Sequence, residues 1–126
     1  LENEITQEFS NKDIILSAGQ GTIAVQCRKN DVEMIEFLKK INHEETSISV
    51  KAERQVLKIL DGDCETAVGA TSKVIGNRIM LSGELFSLDG DRRYYCETTQ
   101  KLQNFHKAGN DVGKKLKEQS KGNYKK

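Results

Sequence analysis

The sequence predicts an α+β domain: a three-stranded antiparallel sheet covered by helices, preceded by a further strand and helix. Three observations carry this reading. From Val68 the period becomes two, with Ile79, Leu81, Gly83 and Leu85 alternating against Met80, Ser82, Glu84 and Phe86, two short turn signals flank that run, and on both sides of the stretch the apolar spacing lengthens to three and four. At 126 residues the chain suits one compact domain with a short attached piece.

Taken in order, Asn11 to Cys27 begins polar and turns apolar at Ile14, Ile15 and Leu16. It then passes Ser17-Ala18-Gly19-Gln20-Gly21 and resumes with Ile23-Ala24-Val25, which reads as loop, Gly turn and short buried strand. Asn30 with Glu33 three residues later forms a capping-box pattern, and Met34, Leu38 and Ile41 share one helical face, so a helix is expected from Asp31 to Ile41. Thr46 offers the next N-cap. Ile48, Ala52, Val56 and Leu60 then repeat every four residues until Gly62, which can adopt the left-handed conformation that ends a helix.

Strands are expected over 67–75, 78–88 and 92–99, joined by Gly76-Asn77 and Asp89-Gly90, pairs that tolerate the positive φ of primed hairpin turns. Leu102, Phe105, Gly109, Val112 and Leu116 mark a last amphipathic helix that covers one face of the sheet. From Lys114 to Lys126 six lysines accompany one glutamate, and Gly122-Asn123 interrupts helix, so a frayed, solvated basic tail is expected. With no proline at all, Gly, Asn and Asp punctuate the chain.

Composition narrows the function. Twenty Lys and Arg oppose nineteen Asp and Glu, so the net charge of +1 provides no general attraction to nucleic acid or anionic lipid. No stretch approaches the ~20 apolar residues of a membrane span. Cys27, Cys64 and Cys96 form neither a disulfide framework nor a CxxC pair, which fits a reduced, cytoplasmic chain. Leu1 to Ser10 carries three glutamates instead of a basic and then apolar leader, so no signal peptide is expected and the chain reads as an internal piece of something longer.

No metal is expected, because His43, His106 and the scattered carboxylates lack ligand spacing. Gly19-Gln20-Gly21 lacks the length and the Lys-Ser/Thr ending of a nucleotide loop. Cys27 and Cys96 read as small apolar residues. Cys64 differs: it follows a helix-ending glycine and lies between Asp63 and Glu65, which hold it near solvent and disfavour a fast thiolate. A thiol that forms one durable bond is compatible with that setting. Arg28 and Arg54 read as ion-pair partners of neighbouring carboxylates, with Arg28 also a candidate ligand, and Asp61 and Asp63 as solvated loop carboxylates.

The order of several motifs resembles the C-terminal part of porphobilinogen deaminase (hydroxymethylbilane synthase). They are Ala18-Gly19-Gln20-Gly21, Gln26-Cys27-Arg28, Asn42-His43 with Glu45-Thr46, Ala52-Glu53-Arg54, and Leu60, Gly62 and Cys64 followed by Val68-Gly69. The resemblance runs from about Ile15 to Leu116, and its most specific part is Glu53-Arg54 with the spacing to Cys64. Asp63 stands where the family usually has a small residue and Ala67 where it has proline.

The resemblance implies that Cys64 carries a dipyrromethane cofactor by thioether, priming head-to-tail condensation of four porphobilinogen molecules with loss of ammonia. It implies further that Gln20 and Gly21 approach the cofactor pyrroles. The catalytic aspartate and arginine cluster would belong to two upstream domains, so no catalytic residue is expected here and the piece alone is inactive. Residues 1–43 would then be remnants of those upstream domains, and 44–126 the cofactor-attachment domain. On this reading the partners are porphobilinogen and pyrrole-chain intermediates, with neither nucleic acid nor membrane. The full-length enzyme is monomeric, whereas the piece self-associates through uncovered Ile23, Val25 and Leu38. The alternative is an independent α+β binding module that contacts nucleic acid or an acidic partner through its lysine-rich tail.

Overall fold

Alternation and helical periodicity lead to the elements expected of them. The computed structural model describes residues 2–62 and 65–125. Helix α1 spans Val32–Lys39, α2 Glu44–Leu60 and α3 Phe105–Ser120, with single 3-10 turns at Glu2–Glu4 and Leu102–Asn104. Strands β1 (Val68–Ile75), β2 (Arg78–Phe86) and β3 (Arg93–Lys101) form one antiparallel sheet in the order β1-β2-β3. Its register pairs Val74 with Ile79 on one side of β2 and Gly83 with Cys96 on the other. The chain reverses at Gly76 and Gly90, both at positive φ.

One face of the sheet carries the core. Ile79, Leu81 and Leu85 pack with Ala52, Val56 and Leu60 of α2 and Ala108, Val112 and Leu116 of α3, all completely buried. The two helices cross closely because α3 turns glycines toward α2. A Cβ on Gly109 would lie 2.6 Å from the Ala52 carbonyl oxygen, and one on Gly113 2.7 Å from Ile59 Cβ.

The turn between β2 and β3 is held by side chains. The Ser87 hydroxyl donates to Asp89, whose Oδ1 also accepts the Asp91 N–H at 3.1 Å. The Ser87 hydroxyl, foremost, holds the Asp89 carboxyl below its ordinary 3.8. A carboxyl lowered in the folded state contributes order above its unfolded pKa and loses it as pH falls through the folded value. The Asp91 and Arg92 amide resonances are therefore expected to stay put on acidification until pH drops below 3.8 and then to move, and Asp89→Ala to abolish that step.

The short strand expected at Ile23-Ala24-Val25 is absent. Residues 22–28 are irregular, with Ile23 89% and Val25 61% exposed. An apolar alternation becomes a strand only with a partner to complete its ladder, and no neighbouring strand among the described residues lies there. Helix α1 is shorter than expected and starts one residue later, with Asp31 instead of Asn30 accepting the Met34 N–H.

The frayed tail is likewise overturned. Helix α3 runs to Ser120, the chain hooks back through Lys121 and Gly122 at positive φ, and Tyr124 is 1% exposed with its hydroxyl donating to the Leu60 carbonyl at 2.7 Å. Charge alone pointed to solvent, but a single aromatic ring and its hydroxyl tie the end down.

Candidate functional site

Two places concern the expected cofactor group: the turn at Gly19–Gly21 and the loop from α2 to β1. Asp63 and Cys64 lie outside the described residues, so the site is built from what flanks them. Helix α2 begins one turn earlier than its apolar pattern predicts, because His43 Nδ1 accepts the Thr46 N–H at 3.3 Å and also meets the Thr46 hydroxyl at 2.8 Å. The connection residue thus serves as the cap. At the other end Asp61, not Gly62, takes the left-handed conformation, with its N–H donating to Leu57.

The last carbonyls of α2 would otherwise be orphans. The C-terminal part of the chain satisfies them: Tyr124 reaches Leu60, Lys125 Nζ reaches the Asp61 carbonyl at 3.1 Å, and Lys117 Nζ approaches the Ile59 carbonyl at 3.5 Å. Two of these groups are cations placed at a helix C-terminus, where the dipole favours them. The base of the cysteine loop is therefore pinned from three side chains.

Beside it lies an open groove of about 570 Å³ lined by Lys51, Arg54, Lys58, His106, Asp61 and Gly62, among others. Arg54 was expected in an ion pair. It is exposed and forms none among the described residues, nor do Lys51, Lys58 and Arg28. The groove thus offers cationic donors whose chemistry suits carboxylate groups. Arg28 lies apart, lining a shallow depression with Asn30 and Asp31.

The Gly19–Gly21 turn sits at a different level of α2. Gly19 and Gly21 have φ of +75° and +76°, and the turn closes through Gln20 N–H to Ser17 and Thr22 N–H to Gly19. Gln20 faces a mostly polar groove of about 340 Å³ with Thr22, His43, Thr46, Ser72 and Lys73. Seven helical steps separate Glu53, which holds this turn, from Leu60 at the end of α2, a rise of about 10 Å. The described residues do not bring Gln20 against the cysteine loop.

A short leader couples the turn to the sheet. Ile15 is buried, its N–H donates to Glu84 Oε1 at 3.0 Å, and the Leu16 carbonyl accepts the Ala70 N–H at 2.9 Å. Gly69, cross-strand from Glu84, leaves room for this: a Cβ there would lie 2.6 Å from the Ile15 oxygen. Arg93 Nε pairs with the other Glu84 oxygen at 2.7 Å. Glu53 holds the Gly19 end. Sequence reasoning missed both carboxylates as structural holders, although Glu53 stands among the apolar positions of α2, a signal of burial.

Cys96, on β3, is buried, and that burial raises its thiol pKa, which disfavours the thiolate. Cys27 is half-buried and lies outside any strand. The described residues contain no cluster of three or more His, Cys, Asp or Glu able to hold a metal, and no helix long and apolar enough to cross a membrane.

The fold and these surroundings define a small α+β domain, one sheet face under two helices, with a pinned helix end just before Cys64 in the sequence. Residues 47–119 match the family described as porphobilinogen deaminase, C-terminal domain, and the chain belongs to that family. It is 36% identical over 113 residues to a porphobilinogen deaminase of Wolbachia sp. subsp. Drosophila simulans, covering 90% of this chain and 38% of the relative. A porphobilinogen deaminase of Desulforamulus reducens is 37% identical over 100 residues, covering 79% and 32% respectively. One of Macrococcus caseolyticus is 30% identical over 118 residues, covering 93% and 38%. The chain thus spans about a third, 32–38%, of the length of these curated relatives.

Proposed function

We propose that this chain is the cofactor-attachment part of a hydroxymethylbilane synthase, with Cys64 as the thioether anchor of a dipyrromethane group and residues 44–126 as the attachment domain. Residues 1–43 belong, on this reading, to the upstream domains. The observation that carries it is the pinned end of α2, where Asp61 and Gly62, just before Cys64 in sequence, line a groove whose Arg54, Lys58 and Lys51 are engaged by no carboxylate among the described residues. When bound, the dipyrromethane supplies a nucleophilic pyrrole end onto which porphobilinogen units condense with loss of ammonia.

The residues of this chain do the rest by position. The thiol provides a permanent tether, so each addition occurs within one complex and not between diffusing partners. Arg54 and Lys58 offer charge to acetate and propionate groups. Gln20 and Gly21 present a turn with open space on its outer side, where a backbone can approach a ring closely. The chain on its own lacks the catalytic aspartate and is inactive. The alternative module reading relied on a free lysine-rich tail, and α3 with Tyr124 holds that tail down.

The test is an intact mass of the full-length polypeptide and of its Cys64→Ala variant, together with colour from an aldehyde reagent for dipyrroles. Added mass and colour are expected in the wild type alone; an adduct that maps to Cys27 or Cys96 defeats the assignment.

Of the residues expected to mediate self-association, Ile23 and Val25 are more than half exposed while Leu38 is half-buried; Ile23 and Val25, with the exposed Ile41 beside them, are expected to make this 126-residue chain self-associate. Light scattering over a concentration series should show a rising mean mass, and a constant monomer mass rules this out.

A further inference from the structure

Glu53 is 8% exposed and has no cationic partner among the described residues, yet three donors converge on it. Its Oε1 accepts the Ser72 N–H at 2.9 Å and the Ser72 hydroxyl at 2.8 Å, and its Oε2 accepts the Gly19 N–H at 2.8 Å. Taking a carboxylate out of water is costly, and only such directed donors offset it. Joining α2 to β1 needs only the Ser72 side.

The second oxygen is spent on the root of an exposed turn that contributes little packing. Gln20 and Gly21 are exposed, and a Cβ added to Gly21 would meet nothing within 4 Å. A buried charge that holds an exposed, open-sided turn serves where the turn stands and not what it buries.

We propose that Glu53 is a positioning residue: it fixes the Gly19–Gly21 turn to α2 and β1, so that Gln20 is presented by the same packed unit whose helix leads to Cys64. The proposal rests on the reading of Gln20 and Gly21 given above. Glu84 fixes the other end of the same leader at Ile15, which leaves Glu53 as the holder nearest Gln20.

Amide exchange on this chain tests the link without any activity. Glu53→Gln, whose NH2 would face donors, is expected to speed exchange at Gly19 about tenfold or more relative to Leu81 at the centre of the sheet. Ser72→Ala leaves the Gly19 contact and is expected to leave that ratio unchanged. In the full-length polypeptide, Glu53→Gln and Gln20→Ala should each lower kcat, and the double variant should be no slower than Gln20→Ala alone.

Gly19 exchange that merely follows Leu81, or two losses that multiply, overturns the proposal. An unmodified wild-type Cys64 overturns the cofactor reading and with it the purpose of the turn. That failure is distinguishable, because Gly19 exchange does not depend on the adduct.

Discussion

Tyr124→Ala is expected to lower the unfolding free energy by about 3–5 kcal/mol, the range of a buried aromatic truncation. The ring is 1% exposed within the main core, and its hydroxyl donates at 2.7 Å to Leu60, the last residue of α2. Truncation leaves both a cavity and an unsatisfied carbonyl. Tyr124→Phe keeps the ring and loses only the hydrogen bond, so its cost should be about 1–3 kcal/mol. Urea unfolding midpoints followed by circular dichroism measure both. A tail that behaved as its lysines alone dictate would make Tyr124→Ala silent, and that outcome would refute the docked hook.

Gly109→Ala is the second large effect, and its sign is the informative part. Inside an isolated helix the change favours folding by about 1 kcal/mol, because alanine is the better helix former. Here the new methyl meets the Ala52 carbonyl oxygen at 2.6 Å and Gln55 Cβ at 2.6 Å, contacts that force α2 and α3 apart. Overpacking of that kind costs about 1–3 kcal/mol, so the variant should be destabilised. Gly113→Ala, against Ile59 Cβ and the Val56 carbonyl, should act in the same direction. Thermal unfolding that shows Gly109→Ala more stable than the parent would mean that the helices do not cross at glycine.

The parts that could be read in advance depend on local spacing. Ile79, Leu81 and Leu85 alternate, and the sheet buries those residues. Val112 and Leu116 recur at helical spacing and pack on it. Caps were displaced by one to three residues, from Asn30 to Asp31, from Thr46 to His43 and from Gly62 to Asp61. Neighbouring polar residues compete for the same orphan amides, and small differences in geometry choose among them.

Ile23-Ala24-Val25 misled because its alternation is a disposition that needs a partner strand to be realised. The lysine run after Lys114 misled because its charge outweighed Tyr124 in the count, though not in the packing. At the candidate site, Cys64 and the Gln20–Gly21 turn came from the order of motifs, as did Glu53 as a motif residue, whereas the holding roles of Glu53 and Glu84 entered only through contacts 34 and 69 residues distant in the chain.

Taken alone, the sequence determined the α+β class, the three strands and their two turns, and the family to which the cysteine loop belongs, because those follow from periodicity and from residue order. Tertiary structure decided that the tail docks under α2, that the leader is fastened by two buried carboxylates and that α3 crosses α2 at glycine. Those outcomes depend on which distant groups meet in space, and hydrogen-bond and steric energies act only at contact.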